Sequence, residues 1–406
     1  MPKDYYQQKS RAKALIIIIA VCSILIAAVA FQLTRPYPEI EIIPTASSVT
    51  LPGEFTVTFP EEGQSAVGTD SFGIIASTPD QNPIPIASVA KIMTALLVLE
   101  NYPLEPGASG PSLTMTAEDF QEYQAAVAAG HSVLRIAEGV SLTQRQMLEG
   151  LMLPSGNNIA NKLGRWVAGS DENFVHMMNE RAQSLGMNST HYADASGFSP
   201  QTVSTAIDQV KLAQAAMQDP VFREIVAMPQ ATIPVAGTVY NVNNMLGRNG
   251  VVGIRTGSTT RAGGNFVSAS PVTVGNETHY LIAAVFGQYS YRSLQTAIDE
   301  NVNILNQVRP YLQMYPVAET NVSPGKITTA WDSESDLFPV QALQVFGYPG
   351  MVVPYSLKPT DTPLPLSAGR QVVILEVYVG NESKTIPLYN ATEITKPDLL
   401  WRLLRF

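Results

Sequence analysis

Ser88 and Lys91, three positions apart, are the first residues in this chain whose types and spacing suggest chemistry. They lie in Pro85-Ile-Ala-Ser-Val-Ala-Lys-Ile-Met-Thr-Ala-Leu-Leu-Val-Leu-Glu100. Ile92, Met93, Leu96 and Leu97 recur at helical spacing, and Asn101-Tyr-Pro103 stops the pattern. Pro85 marks the start, so Ser88 belongs to the first turn and Lys91 to the same face one turn on. A hydroxyl then sits beside an amine, near the free N–H groups of a helix N-terminus. Serine is a weak nucleophile until its proton is taken, and a desolvated lysine can take it. Ser88 is the candidate nucleophile and Lys91 its base.

Ser-x-x-Lys alone says little, and it occurs at Ser10/Lys13, Ser88/Lys91 and Ser323/Lys326. The first lies in a basic flank; the third encloses Pro324-Gly325, which no helix interior tolerates. Two further polar patterns follow. Pro154-Ser155-Gly156-Asn157 is a polar break between two apolar helical stretches, and on its own reads as a turn. Gly253-Ile-Arg255-Thr256-Gly257-Ser258 precedes a strand, with glycines that permit close approach of another backbone or a ligand. Taken alone, Arg255 reads as a solvated strand charge.

The elements that must hold these groups follow from periodicity. Residues 55–77 alternate as strands do. Residues 87–228 are mainly helical, with caps expected at Thr116, at Thr143-Gln-Arg-Gln146 and at Ser170. Strands are expected at 231–234, 266–270 and 280–286, then a helix from about Arg292 to Val308. Strands, a helical block, more strands and a closing helix predict an α+β fold, its antiparallel sheet assembled from both ends of the segment. Beyond Pro316 a small all-β module is expected, with strands at 371–379 and 384–388 and a hairpin at Gly380-Asn381. The apolar tail Leu399–Phe406 either tucks against that module or lies on a membrane surface.

Length and charge bound the function. The 406 residues allow two domains with appendages, and a net charge of −9 without a basic cluster beyond the N-terminal flank argues against nucleic acid. Residues 14–33 form an apolar run long enough to cross a bilayer, preceded by Lys3, Lys9, Arg11 and Lys13. This predicts a cytoplasmic N-terminus and an exported remainder. We read residues 1–35 as flank and signal anchor; Ala28-Val-Ala30, with the small-x-small form of a cleavage site, keeps a cleaved signal peptide open. Residues 36–54, rich in proline, are expected to be a linker. The catalytic domain is then 55–310, and 311–406 the β-domain with its tail. Cys22, the single cysteine, lies in the apolar run, so the exported part has no disulfide. The four histidines are scattered, and neither metal nor cofactor is implied.

In order and spacing, Ser88-x-x-Lys91, Ser155-x-Asn157 and Arg255-Thr256-Gly257 resemble the three-motif site of penicillin-binding proteins and serine β-lactamases. The surrounding text is similar to the D-alanyl-D-alanine carboxypeptidases of the low-molecular-mass penicillin-binding class over residues 55–310. It includes Ile86-Ala-Ser-Val-Ala-Lys-Ile-Met-Thr-Ala-Leu, Leu153-Pro-Ser-Gly-Asn-Asn-Ile-Ala and Gly253-Ile-Arg-Thr-Gly-Ser. The resemblance implies a transpeptidase-like fold and a peptidoglycan stem peptide ending in D-Ala-D-Ala as substrate, with β-lactams as inhibitors. It implies that Ser88 attacks, Lys91 accepts the proton and Ser155 relays one to the leaving amine. Asn157 would bond the substrate backbone, Arg255 and Thr256 the terminal carboxylate with help from Arg292, and the N–H groups of Ser88 and Ser258 would form the oxyanion hole. The chain departs from the pattern in one place: the third motif normally opens with lysine, and here it is Arg255. Alternatives are a DD-endopeptidase, a β-lactamase-like hydrolase, for which the expected Glu-x-x-Leu-Asn is absent between Asn157 and Arg255, and an impaired wall-binding protein.

Overall fold

The computed structural model describes residues 3–361, 363–380 and 382–405, with side chains from residue 8 onward. The chain forms two compact units. Pro52–Met314 with Phe346–Gly350 make one; the residues up to Leu51, Tyr315–Val345 and Met351 onward make the other.

The larger unit is built on a five-stranded antiparallel sheet in the order Gly253–Thr259, Gly263–Val274, Glu277–Gln288, Gln64–Thr69, Gly73–Ser77. Its strands come from both ends of the segment, as the pattern of elements predicts. Alternate residues point to opposite faces, and both faces are buried. Val267, Ala269, Ile282, Ala284 and Phe286 join the core under the helices. Phe266, Leu281, Ala283 and Val285 join a second core with Ile298, Val302 and Leu305 of the closing helix Ser293–Val308. This sheet therefore reads as apolar runs rather than strict alternation.

The helical block begins differently from expectation at one place. Ser88 lies in a 3-10 turn, Ala87–Ala90, and Lys91 is the first residue of the α-helix Lys91–Asn101. Nearly every side chain of that helix is buried, which explains its apolar composition. Capping boxes form at Thr116/Asp119 and Thr143/Gln146, and Ser170 caps Asp171–Ser184. Each satisfies N–H groups that the first helical turn leaves without partners.

In the other unit, seven strands run in the order Glu41–Pro44, Gly325–Thr328, Glu334–Pro339, Glu382–Asn390, Gln371–Val379, Val352–Pro359, Ser48–Thr50. Here the linker expected at 36–54 is corrected. Ile42 pairs with Ile327 and Val49 with Val353, so residues 41–50 supply both outermost strands of the sheet. Such short strands, the first ending at Pro44, have no stability without partners about 280–300 positions away, and the proline content masked them. The strands flanking Gly380 form as expected, while Asn381 of that hairpin lies outside the described residues.

The apolar helix Lys3–Thr34 belongs to this same unit, and Gln8–Thr34 is long and apolar enough to cross a membrane. The tail folds as a short helix, Leu399–Leu404, against its C-terminal end. Arg405 donates to the carbonyls of Gln32, Arg35 and Pro36, and Arg402 to that of Leu33. Two guanidiniums thus satisfy carbonyls at the negative pole of the long helix. Trp401 packs edge-on to Trp331.

Candidate active site

Lys91 is fully buried in the larger unit. Its Nζ donates to Asn157 Oδ1 at 2.7 Å and to the Ser196 carbonyl at 2.8 Å, and lies 3.0 Å from Ser88 Oγ. Burial pushes the ammonium well below its ordinary range, the nearby Arg255 charge pushes the same way, and Asp194 opposes them. A neutral amine has two N–H bonds and one lone pair. In that form the two oxygen acceptors would take the N–H bonds and the lone pair would face the Ser88 hydroxyl.

Ser155 Oγ donates to Ser88 Oγ at 3.0 Å. Ser155 sits between the helices Gln144–Met152 and Asn157–Ala168 at φ 72°, a left-handed conformation that costs a non-glycine residue about 1–3 kcal/mol. That conformation turns the chain between two helices, so the hydroxyl and Asn157 reach the same point. The polar break is therefore both a turn and part of the cluster.

Gly253–Thr259 is an edge strand of the sheet and lies against the turn that holds Ser88. A Cβ on Gly257 would stand 2.8 Å from the Ile86 carbonyl oxygen and 3.0 Å from the Ser88 nitrogen. Only glycine lets the strand come this close. On the other side of the turn, a Cβ on Gly197 would overlap the Ala87 carbonyl oxygen at 1.8 Å. The turn holding Ser88 is thus pinned between two backbones.

Arg255 is 1% exposed. Nη1 donates to the Met152 carbonyl at 2.5 Å and Nε to the Ser88 carbonyl at 3.2 Å, while Nη2 has no partner among the described residues. Burial lowers the group to about 9, which leaves it charged at neutral pH. This guanidinium bonds two main-chain oxygens, one of them that of Ser88 itself. A flat fork carries more donors than an ammonium and finds carbonyls to satisfy them. Thr256 is buried beside it, Ser258 is exposed, and Arg292 is exposed at the N-cap of the closing helix.

Residue types carry no sign of the Ser196 carbonyl, because any residue supplies one. Its aim is set by Asp194, whose carboxylate accepts from Ser196 N and Oγ, Phe198 N and Thr202 Oγ1.

A serine beside a buried lysine, a second serine at its oxygen and an asparagine alongside form a cluster suited to acyl transfer through a serine. Residues 62–290, more than half of the chain, match the D-alanyl-D-alanine carboxypeptidase family. The chain belongs to that family and is a serine-type D-alanyl-D-alanine carboxypeptidase. It is 34% identical over 208 residues to a D-alanyl-D-alanine carboxypeptidase of Mycobacterium tuberculosis, covering 50% of this chain and 67% of that one. It is 27% identical over 216 residues to a D-alanyl-D-alanine endopeptidase of Pseudomonas aeruginosa, covering 51% and 66%. Among solved structures, a Streptomyces DD-transpeptidase matches with a TM-score of 0.54 at 26% identity, over 62% of this chain and 98% of that one. Penicillin-binding protein 5 of Haemophilus influenzae matches over 85% and 100% with a TM-score of 0.59; at 17% identity it speaks to the fold alone.

Proposed function

We propose that Ser88 removes the terminal D-alanine of peptidoglycan stem peptides through an acyl-enzyme, with Lys91 as general base. The observation that carries this assignment is the Lys91 environment: buried, with Nζ bonded to Asn157 Oδ1 and the Ser196 carbonyl and Ser88 Oγ at 3.0 Å. Lys91 takes the hydroxyl proton as Oγ attacks the carbonyl between the two D-alanines. The carbonyl oxygen becomes an anion, held by the N–H groups of Ser88 and Ser258. Such fixed dipoles, aimed where charge develops, are usually the largest catalytic contribution. As the C–N bond breaks, Ser155 passes a proton to the departing amine. Water, deprotonated by the same relay, then attacks the ester and releases Ser88.

Asn157 carries a side-chain amide nitrogen without a partner among the described residues, and we assign it to a substrate carbonyl on the acyl side. Thr256 and Ser258 flank the leaving residue with Gly257 between them, and exposed Arg292 is the guanidinium open to its carboxylate. Arg255 supplies positive charge from below and holds the Ser88 and Met152 carbonyls in place. β-Lactams, which present a comparable strained amide and carboxylate, acylate the same serine. The catalytic unit stands outside the cell, tethered by the Gln8–Thr34 helix with its N-terminus in the cytoplasm, a topology supported by the basic flank at Lys9, Arg11 and Lys13.

The test is release of D-alanine by residues 36–406 from an N-acylated peptide ending in D-Ala-D-Ala, alongside a cross-linked peptide dimer. Release from the linear peptide at the greater kcat/KM supports the assignment. Preferential cleavage of the dimer would move it to the endopeptidase activity for which some relatives are named.

A further inference from the structure

The strand Gly253–Thr259 runs on past Ser258 into a turn at Thr260, Arg261 and Ala262. The turn is fixed at three points. Thr259 Oγ1 accepts from the Ala262 N–H at 3.1 Å, Asn265 Nδ2 donates to the Ala262 carbonyl at 3.4 Å, and the Tyr289 hydroxyl donates to the Arg261 carbonyl at 2.9 Å. Tyr289 lies so close that a Cβ on Gly263 would stand 3.2 Å from its Cδ1. None of these contacts uses the Arg261 side chain. That side chain is exposed and has no hydrogen-bond or ion-pair partner among the described residues. Glu62, a carboxylate at this end of the sheet, accepts from the Tyr289 N–H at 3.1 Å. A rigid turn thus holds an unpaired guanidinium out in water.

The direction of the substrate decides what this turn meets. In the assignment above, the terminal carboxylate lies by Thr256 and the carbonyl under attack by the Ser258 N–H. The substrate therefore runs antiparallel to Gly253–Thr259, along its open edge. Paired antiparallel strands advance residue for residue. With the penultimate D-alanine level with Ser258, the residue before it is level with Thr259 and the next one upstream with Thr260. Ser258 pairs with Gly264 and Thr259 with Gly263, so the strand keeps its line up to the turn. A side chain two residues before D-Ala-D-Ala then comes level with the turn, beside Arg261. A planar guanidinium takes a carboxylate through parallel hydrogen bonds strengthened by charge. An amide of the same shape offers one acceptor oxygen and no charge.

We propose that Arg261 selects peptides bearing a free carboxylate on the residue two positions before D-Ala-D-Ala, over peptides in which that group is an amide. This rests on the peptidase assignment above and on the substrate direction it implies. It names a specificity residue at the far end of the strand, apart from the Ser88, Lys91 and Asn157 cluster.

The experiment measures D-alanine release by the full chain in detergent from N-acetyl-Glu-Ala-D-Ala-D-Ala and N-acetyl-Gln-Ala-D-Ala-D-Ala, two peptides of one shape that differ by a charge. Wild type should favour the glutamyl peptide in kcat/KM by about threefold to fivefold at low salt, the scale of one exposed ion pair. The ratio should approach one at about 1 M salt. Arg261→Gln should bring the ratio close to one through KM of the glutamyl peptide, Arg261→Lys should keep part of the preference, and Arg261→Glu should reverse it. All three leave the main-chain bond from Tyr289 in place. A wild type that does not discriminate overturns the proposal, and so does a ratio that Arg261→Glu leaves unchanged. If Arg261 instead held the terminal carboxylate or only the shape of the turn, its variants would slow both peptides together at an unchanged ratio, which also overturns it. If wild type cleaves neither peptide, the peptidase assignment itself fails and the proposal with it, an outcome distinct from an unchanged ratio.

Discussion

At the residue scale, the energetics of the site turn on one buried amine. Removing water from Lys91 disfavours its charged form, and the Arg255 cation adds to that effect. Acylation by penicillin should therefore rise with pH along a limb lying well below the ordinary lysine value of 10.5. Arg255→Met removes a positive charge that disfavours the ammonium, so the Lys91 pKa rises and the limb moves to higher pH. Stopped-flow acylation rates across pH would read this shift, and an unchanged limb would contradict the role given to Arg255. The same logic has a stability consequence. Lys91 binds a proton more readily when unfolded, so this site costs folding free energy below 10.5, and the cost fades as pH approaches that value.

At the scale of elements, backbone contact positions Ser88. The Ala87–Ala90 turn is gripped by Gly257 on the edge strand and Gly197 on the opposite loop. Gly197→Ala must move the Ala87 carbonyl and also adopt φ 77°, so a loss of about 3 kcal/mol or more is expected. Gly257→Ala meets its neighbours at 2.8–3.0 Å without a left-handed backbone and should cost about 1–2 kcal/mol. Thermal denaturation should rank the two in that order; equal or reversed losses would contradict the packing described. Much of this arrangement was legible beforehand. The apolar spacing around Ser88, the capping box at Thr143 and the strand–helix–strand order are local patterns, and they led to the right elements. What a side chain's type does not encode was not legible: the Ser196 carbonyl, the left-handed turn at Ala87, and the face on which Arg255 would find its partners.

At the scale of the molecule, the chain crosses between its two units more often than a linear reading suggests. Residues 36–54 looked like a tether because prolines punctuate them, yet residues 41–50 form the two outer strands of a sheet completed near the C-terminus. Pairing between residues so far apart leaves no local signal. Deleting residues 36–51 should strip both edges of that sheet and open residues 325–390 to limited proteolysis, while residues 62–290 retain penicillin labelling. Equal protease resistance with and without the segment would show the strands to be dispensable.

The central claim is that Ser88 is a nucleophile activated by Lys91. Its most direct test is covalent labelling of residues 36–406 with a fluorescent penicillin, read by gel and intact mass, in wild type and Ser88→Ala. The account predicts one stable adduct on the wild-type fragment and none on Ser88→Ala. An adduct that survives Ser88→Ala, or a wild type that neither retains nor hydrolyses penicillin, would contradict it.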